Sequence, residues 1–531
     1  MDAQTPGTPS SGRRLLTIVG VVLIVLAALC AAGCTATSPA ETVIPPDAEN
    51  ATEFKEQVDA VISQERYDYA TWGMMARDTS TGEVLLSMNG DRLFTPGSTT
   101  KVFTVSTALD VLGPDYRFRT PVYRVGDDLV LVASGDLAMG GRAGPNGTLA
   151  FTNEDHGDAW AFGDCLLVGA DPLAGLESLA EQVAAAGVTA ADDVIVDDRL
   201  FGETQMMSEG LVTPIVVNDN LIDVTIVPGR EGEPATVDWR PRSSAYTIES
   251  RVVTGPAGSD PAVMIPAYTG QAVIEVTGTV PADAGPVNLT SNVEIPAAFA
   301  RSLFIDALEN AGVSVLAPTA GENPLGRLPD EYGSVGRVAE LVSLPFSEYA
   351  KVTLKVSQNL YANCLLGIIA AHEGYDTVEA GLFVEGAFLE EIGVNPNTLL
   401  LADGEGSVMN RISPLAATDL AAYMAGTDLY APLSDALPVL GVDGTLAANA
   451  RPGDPGYGVI RAKTGTSAGA DQQGGIFLYT RGLLGYMTTA KGTPVTFAIY
   501  VNNIAGLASM DDLQGVTDDV NDVAVLIYEY L

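Results

Sequence analysis

The 531-residue sequence is poor in the residues that many enzymes use to bind metals or to transfer protons. It contains 2 histidines, so a metal site with several imidazoles is not expected, and a Ser-His-Asp triad has little to draw on. Its 4 cysteines, Cys30, Cys34, Cys165 and Cys364, lack the close spacing of a zinc knuckle or a redox motif. The sequence therefore predicts no metal site.

Basic residues are also scarce. The chain has 27 Lys and Arg against 67 Asp and Glu, which gives a formal net charge of -40. Such a field repels phosphate backbones, so nucleic acid is not expected as a partner, and an anionic substrate would need a local positive pocket. Apolar residues make up 47% of the chain, enough for large cores, and the length allows two or three domains.

One long apolar run occupies residues 15–33, after Arg13 and Arg14. This order is typical of a signal peptide. The small residues before Cys34 favour a lipoprotein cleavage box with Cys34 as the lipidated residue, although Ala31 stands where a large aliphatic residue is usual. An uncleaved anchor helix also fits, because the run is nearly long enough to span a bilayer. Both interpretations of residues 1–34 predict an extracytoplasmic, membrane-anchored protein.

The rest of the chain is organised in segments of different character. Residues 35–50 are small, polar and Pro-containing, which is typical of a linker. A hairpin is predicted next, and then a helix that opens after Pro96-Gly97 and closes at Gly113. Short Val/Ile-rich runs between Gly, Pro and Asp turns predict a strand-rich middle region. Helical patterns return from Pro345 onward, and the chain ends with strands and a helix.

Three short motifs follow one another along the chain: Ser98-Thr99-Thr100-Lys101, Ser357-Gln358-Asn359 and Lys463-Thr464-Gly465-Thr466. The surrounding patterns place the first at a helix start, the second inside a helix and the third on a strand edge. Each motif alone is frequent by chance, and a lone Ser98 is more often an ordinary helix N-terminal hydroxyl. Their order and their element types together indicate a catalytic site.

The first motif suits a nucleophile and its base. Residues three apart share one face of a helix, so Ser98 Oγ and Lys101 Nζ are expected to meet. A serine hydroxyl is a weak nucleophile, and a neutral lysine activates it if burial and another cation, here Lys463, lower the lysine pKa. Backbone N–H groups at the helix start favour an oxyanion.

The motifs are those of β-lactamases and penicillin-binding proteins, and their flanks narrow the resemblance. The segments TPGSTTKVFT, SQNLYANCLL, LLADGEGSVMNRISP, GVDGTL and VIRAKTGT resemble the D-alanyl-D-alanine carboxypeptidase/endopeptidase branch of low-molecular-mass penicillin-binding proteins. That branch carries a large region between its first two motifs, and here Ser357 follows Ser98 by 259 residues. The resemblance covers nearly all of residues 53–531.

The resemblance implies an α/β (α+β) fold of the β-lactamase/transpeptidase type with a strand-rich inserted region. The catalytic domain is then split between residues 51–120 and 337–531, and residues 121–336 form the inserted region. No metal or other cofactor is implied.

The resemblance also implies a role for each motif residue. Ser98 is the acylated nucleophile and Lys101 its general base. Ser357 passes a proton toward the leaving amine, and Asn359 orients substrate and lysine. Lys463 supplies fixed positive charge for the terminal carboxylate of the substrate.

The remaining substrate contacts are implied for the end of the third motif and for one loop. Thr464 holds the carboxylate, Gly465 lets the substrate backbone lie close, and the N–H of Thr466 completes the oxyanion hole with that of Ser98. Asp403 is a further substrate-binding candidate. The family usually has Asp-Gly-Ser-Gly at positions 403–406, where this chain has Glu405, so Glu405 either adds negative charge near the cleft or is a surface turn residue.

Four other residues are assigned structural roles. His156 stands among turn formers and is expected to be a surface or turn histidine rather than a catalytic one. His372 is expected to be a cation at a helix C-terminus. Cys165 and Cys364 are interpreted as two buried thiols, and a disulfide between them stays open.

These features predict a serine-type D-Ala-D-Ala carboxypeptidase or D,D-endopeptidase that acts through an acyl-enzyme. Its expected partners are peptidoglycan-like peptides, β-lactams and, through the N-terminal anchor or lipid, a membrane. One alternative is a β-lactamase or esterase with the same acylation machinery, against which the long insertion argues. Another is a catalytically idle wall-binding or antibiotic-sensing module, against which the complete motif set argues.

Overall fold

The computed structural model describes residues 51–531 apart from 159–164, 203–204, 208–209, 270–271 and 334–335. The predictions for residues 1–34, for Cys34 and for the linker 35–50 lie outside the described residues. Within the part that is described, no helix combines the length and the apolar character needed to cross a bilayer.

The α-helices of the described residues are α1 (Ala51–Ile62), α2 (Thr100–Leu112), α3 (Ala174–Ala185), α4 (Pro296–Asn310), α5 (Phe346–Lys355), α6 (Asn359–His372), α7 (Val378–Glu391), α8 (Pro414–Ala425), α9 (Tyr430–Ala436) and α10 (Met510–Tyr530). The strands are β1 (Thr71–Asp78), β2 (Val84–Met88), β3 (Arg119–Val125), β4 (Asp128–Val132), β5 (Ala190–Ala191), β6 (Val194–Asp197), β7 (Gln205–Met207), β8 (Gly210–Val212), β9 (Leu221–Val227), β10 (Thr236–Arg240), β11 (Thr247–Gly255), β12 (Ala262–Met264), β13 (Tyr268–Thr269), β14 (Val273–Pro281), β15 (Val287–Val293), β16 (Ser314–Val315), β17 (Gly336–Val342), β18 (Leu399–Leu400), β19 (Arg411–Ile412), β20 (Arg461–Ala470), β21 (Ile476–Thr488) and β22 (Pro494–Leu507).

A five-stranded antiparallel sheet joins the two ends of the described chain, in the order β2-β1-β22-β21-β20. Side chains on β22 alternate between its two faces, as the period of two in a strand requires. Phe497 and Ile499 pack with α1 and α10, whereas Ala498 and Tyr500 pack with the helical layer of α2, α5, α6 and α8. The sheet is therefore covered on both faces, and β20 is left as an edge.

The middle of the chain forms its own sheets, β10-β9-β15-β13, β11-β14-β12 and β17-β3-β4-β6, which pack with α3 and α4 around a separate apolar core. β3 and β17 pair antiparallel, which places the chain segments near residues 120 and 337 side by side. The start and the end of the long insertion therefore lie side by side. The domain limits themselves stay a prediction.

Most of the predicted elements are present. The hairpin of β1 and β2 is confirmed, as is the helix that ends at Gly113, and the α/β (α+β) fold class is confirmed. The predicted continuous helix across Ser357 is wrong. The chain forms α5 and α6 instead and breaks at Val356-Ser357-Gln358, because Ser357 has φ 62, a left-handed conformation that a right-handed helix does not accommodate.

Candidate active site

Ser98 lies in a 3₁₀ turn, Gly97–Thr99, that leads directly into α2. The turn requires glycine at its first position, since Gly97 has φ 54 and a Cβ there would lie 2.8 Å from the backbone nitrogen of Thr466. Ser98 itself is half-buried, so its hydroxyl lies at the surface of the cleft rather than in the core. The turn thus places the hydroxyl beside the edge strand β20.

Lys101 is fully buried in the first turn of α2. Its Nζ lies 2.8 Å from Ser98 Oγ and 2.8 Å from the backbone oxygen of Glu405, and it also donates to Asn359 Oδ1. The expected meeting of Ser98 and Lys101 on one helix face is therefore observed. Through Asn359, the amine of Lys101 also contacts the second motif.

The second motif lies at the junction of α5 and α6. Gln358 caps α6, because its Oε1 accepts a hydrogen bond of 3.0 Å from the N–H of Leu360. A left-handed residue other than glycine costs about 1–3 kcal/mol, so the conformation of Ser357 must be maintained by its surroundings. Asn359 contacts Lys101, whereas Ser357 contacts a different lysine, Lys463.

Lys463 is the second buried amine of the site. Its Nζ donates to Ser357 Oγ at 2.9 Å and to the backbone oxygen of Thr464 at 2.9 Å. The side chain of Thr464 in turn lies 2.8 Å from Thr445 Oγ1, in a 3₁₀ turn that belongs to the segment GVDGTL. Each motif hydroxyl, Ser98 or Ser357, therefore has one lysine at hydrogen-bond distance.

Gly465 allows β20 to run against the nucleophile turn. A Cβ at this position would lie 2.2 Å from the backbone oxygen of Pro96 and 3.1 Å from Thr99 Cγ2. The close approach brings the backbone nitrogen of Thr466 next to Gly97-Ser98, as an oxyanion hole formed by the N–H groups of Ser98 and Thr466 requires. The side chain of Thr466 is engaged separately, since its Oγ1 accepts from Arg481 Nη1.

The loop at 403–407 closes the back of the site. Asp403 Oδ1 accepts hydrogen bonds from the N–H groups of Gly406 at 2.7 Å and Ser407 at 3.1 Å and from Asn410 Nδ2 at 2.9 Å. Asp403 is buried, and this oxygen holds the loop, while the expected substrate contact of Asp403 stays a prediction.

Glu405 is not a surface turn residue. It is buried, and its Oε2 accepts from Asn363 Nδ2 on α6 at 3.0 Å, while its backbone oxygen contacts Lys101. The alternative interpretation, a carboxyl group close to the cleft, fits the structure. The side chain turns inward because a polar partner on α6 is available there.

A buried acid lies beneath α2. Glu385 on α7 is completely buried, its Oε1 accepts from Thr104 Oγ1 at 3.3 Å, and its Oε2 has no hydrogen-bond partner. Burial, with a smaller contribution from Asp403, raises the pKa of Glu385 to about 8. Nothing in the pattern VEAGLFVEGAFLEE distinguishes this glutamate from its exposed neighbours, so its burial could not be predicted from the sequence.

A cavity of about 270 Å³ opens beside the start of α6. Its lining combines Gln358 and Asn359 with residues of the inserted region, among them Asp219, Asn220 and Asn292. The inserted region therefore reaches the second motif directly. The run Asn218-Asp219-Asn220, three polar residues between apolar ones, was the available sequence signal.

The remaining predictions concern residues outside the cleft. His156 does lie in a short turn, His156–Asp158, but it is buried, so its expected surface position is wrong. Cys165 and Cys364 are both buried, as interpreted from the sequence. His372 is exposed at the last residue of α6, which confirms its place at a helix C-terminus.

Comparison with known proteins gives matches along almost the whole described chain. Residues 54–520 match the family described as D-Ala-D-Ala carboxypeptidase 3 (S13). The D-alanyl-D-alanine carboxypeptidase of Actinomadura sp. (strain R39) is 31% identical over 492 residues, which cover 86% of this chain and 82% of that protein. Penicillin-sensitive carboxypeptidase A of Dictyostelium discoideum is 24% identical over 502 residues and covers 87% of both chains.

The fold is shared with a solved structure. The crystal structure of penicillin binding protein 4 from Haemophilus influenzae superposes with a TM-score of 0.67 at 18% identity, covering 90% of this chain and 99% of that one. The likeness confirms the expected type of fold. Together with the family match and the 31% identical relative, it leads to one conclusion: this chain belongs to the D-Ala-D-Ala carboxypeptidase 3 (S13) family and is a penicillin-binding serine D,D-peptidase.

Proposed function

We propose that the chain cleaves the bond before a terminal D-alanine by acyl transfer through Ser98. Ser98 Oγ attacks the carbonyl carbon and gives its proton to Lys101, and the oxyanion is stabilised by the N–H groups of Ser98 and Thr466. The carbon–nitrogen bond then breaks, and the D-alanine amine leaves with a proton delivered through Ser357. Water then attacks the acyl carbon, its hydroxyl leaves with the released acid, and its proton restores the hydroxyl of Ser98. The proton held by Lys101 replaces the one that was delivered through Ser357.

One observation carries this proposal: the two buried amines each contact one of the two motif hydroxyls. Lys101 Nζ lies 2.8 Å from Ser98 Oγ, and Lys463 Nζ lies 2.9 Å from Ser357 Oγ. A base for the nucleophile and a donor for the leaving group are thus supplied from two different amines, and amide cleavage requires both functions. In a chain with a net charge of -40, these amines also supply the local positive field that a substrate carboxylate requires.

The test is the release of D-alanine from an acylated peptide that ends in D-Ala-D-Ala, followed by amino-acid analysis. We expect release by the wild-type chain and none after prior treatment with penicillin, because both compounds acylate the same hydroxyl. A chain that binds labelled penicillin but releases no D-alanine would be a sensor or wall-binding module. Rapid loss of the penicillin label with opened drug would indicate a β-lactamase.

We also propose that residues 1–34 attach the enzyme to the outer face of a membrane. The support is the order of basic pair, apolar run and small residues before Cys34 in the sequence. A peptidoglycan-like substrate is extracytoplasmic, so the two proposals agree with each other. Lipidation of Cys34 and an uncleaved helix are the two forms of attachment that experiment must separate.

A further inference from the structure

The second motif is bonded to the inserted region through its middle residue. Gln358 Nε2 donates to Asp219 Oδ2 at 3.0 Å, while its Oε1 caps α6. Both polar ends of the Gln358 side chain are therefore engaged, one with its own helix and one with a residue 139 positions earlier in the chain. A displacement of Asp219 would therefore pull on Gln358, which lies between Ser357 and Asn359.

Asp219 is held in an unusual backbone conformation. Asn218, Asp219 and Asn220 have φ of 52, 55 and 55, three left-handed residues in succession, and all three are buried. Asn and Asp tolerate this region better than other side chains. The run is fixed by its own amides, for example by Asn218 Nδ2, which donates to the backbone oxygen of Leu221 at 2.8 Å. The carboxylate of Asp219 is thus presented at a fixed place.

The other bonds of Asp219 come from both sides of the contact between insertion and catalytic helices. Tyr361 Oη on α6 donates to Oδ1 at 2.7 Å, His156 Nε2 lies 2.9 Å from Oδ2, and Arg142 Nη2 also donates to Oδ2. The positive charges of Arg142 and His156 outweigh burial and hold the pKa of Asp219 below its ordinary value. The carboxylate is therefore charged whenever the enzyme is folded near neutral pH.

The surrounding cluster is balanced in charge. Arg142 pairs with Asp155 at 2.6 Å, and Asp223 pairs with His156 at 2.8 Å and with Arg240 at 2.8 Å. Burial opposes a charged histidine, but the carboxylates of Asp223 and Asp219 raise the pKa of His156 to about 10. Three cations therefore face three carboxylates. A metal ion has no place among Asp155, His156 and Asp219, because the guanidinium of Arg142 already occupies the oxygens it would bind.

We propose that Asp219 is a positioning residue for the reaction, which acts by fixing Gln358 and thereby Ser357. The left-handed Ser357 lies directly before Gln358, and its hydroxyl contacts Lys463. The inserted region would then be part of the proton-delivery apparatus and not only an appendage. This inference rests on the proposed function, in which Ser357 passes the proton that the leaving amine needs.

A comparison of two leaving groups distinguishes a misplaced Ser357 from a loss of folded protein. An amine leaves only with a proton, whereas a thiolate leaves without one, so a misplaced Ser357 slows peptide cleavage more than thiolester cleavage. The quantity to measure is the ratio of kcat/KM for a D-Ala-D-Ala peptide to kcat/KM for a thiolester of the same acyl group. Because both values come from one sample, the ratio does not depend on how much of the enzyme is active.

Two variants break the bond from opposite sides. Gln358→Glu keeps the oxygen that caps α6 and loses the donor to Asp219, and Asp219→Ala removes the acceptor. The first adds a negative charge and the second removes one, so a purely electrostatic effect would move the two ratios in opposite directions. Tyr361→Phe is the matched control, since it removes another α6 hydrogen bond to the same carboxylate without touching Gln358.

We expect the ratio to fall by roughly 10- to 100-fold in Gln358→Glu and in Asp219→Ala and to stay near the wild-type value in Tyr361→Phe. An unchanged ratio in active Gln358→Glu overturns the proposal, even if Asp219→Ala does not fold. A fall only in Gln358→Glu, with a wild-type ratio in Asp219→Ala, overturns the part assigned to the insertion. A wild-type enzyme that cleaves neither substrate would instead contradict the proposed function itself.

Discussion

At the level of single residues, the site depends on the amine of Lys101, which contacts oxygen atoms of Ser98, Asn359 and Glu405. A hydrogen-bond donor that is also to serve as a base must be able to lose a proton. Lysine meets this condition in a buried site, whereas the guanidinium of arginine stays charged. The identity of the residue at 101 therefore matters more than its charge.

Lys101→Arg is expected to lower the rate of acylation by penicillin by a factor of roughly 10²–10⁴, the usual contribution of a positioned base. Lys101→Ala should have an effect of similar size, and non-covalent binding should persist in both. Second-order acylation rates measured across pH test this, with Lys491→Arg as a control at an exposed lysine. Near-normal acylation by Lys101→Arg would force a search for another proton acceptor.

Lys463 is expected to influence the pH profile as well as substrate binding. Two ammonium groups in one cleft disfavour double protonation, so acylation should rise along a single basic limb. Lys463→Ala should move that limb to higher pH and raise KM for substrates with a free terminal carboxylate. An unmoved limb in this variant would mean that the two amines titrate independently.

At the level of secondary-structure elements, the close contact between β20 and the turn before α2 sets the geometry of the site. Gly465→Ala would place a methyl group 2.2 Å from the backbone oxygen of Pro96, so the strand must move away. Because a displacement of ~1 Å can reduce a rate by about 10²-fold, acylation should fall by at least about tenfold. Gly469→Ala on the same strand meets only the ring of Tyr479, which is partly exposed and can turn, and should acylate normally.

The packing of α7 beneath α2 introduces a pH dependence of stability. The carboxyl of Glu385 ionises near the ordinary pKa of 4.5 in the unfolded chain, but burial raises its pKa to about 8 in the folded chain. Between these values the unfolded state loses a proton that the folded state keeps, so the free energy of unfolding falls as pH rises through this window. Above pH 8 the penalty is complete.

Glu385→Gln removes this penalty, because the amide is nearly the same shape as the protonated carboxyl. The melting temperature should be close to that of the wild type at pH 4.5 and higher by about 5 °C or more at pH 8. Glu390→Gln, on the exposed face of the same helix, is the control and should show no such trend. An equal difference at both pH values would argue against a protonated Glu385.

Some of the elements that form the site could be predicted from the sequence, and others could not. The first and third motifs depend on local patterns, and the helix start before α2 and the edge strand β20 were predicted from such patterns. The break at Ser357 was not, since SEYAKVTLKVSQNLYANCLLGIIAAH keeps a helical period across it. The left-handed turn is maintained by contacts such as Gln358–Asp219, which join positions 139 residues apart. The burial of Glu405 and His156 was missed for the same reason.

At the level of the whole molecule, the insertion and the catalytic region meet at the start of α6. We propose that the N-terminal segment determines where the enzyme works. Full-length protein is expected in the membrane fraction of its cells. Cys34→Ala distinguishes the two forms of anchor, because a lipoprotein loses its lipid mass and an uncleaved helix does not change. Recovery of the unmodified full-length chain from the cytosol would contradict the targeting proposal.

Ser98 is expected to form the acyl-enzyme, and intact-mass measurement after treatment with penicillin tests this directly. We predict one adduct of the mass of the drug, located on Ser98 by peptide mapping, and none in Ser98→Ala. Ser357→Ala serves as the control for a second hydroxyl in the cleft and should still acquire the adduct, more slowly. An adduct that persists in Ser98→Ala would contradict the assignment of Ser98 as the nucleophile.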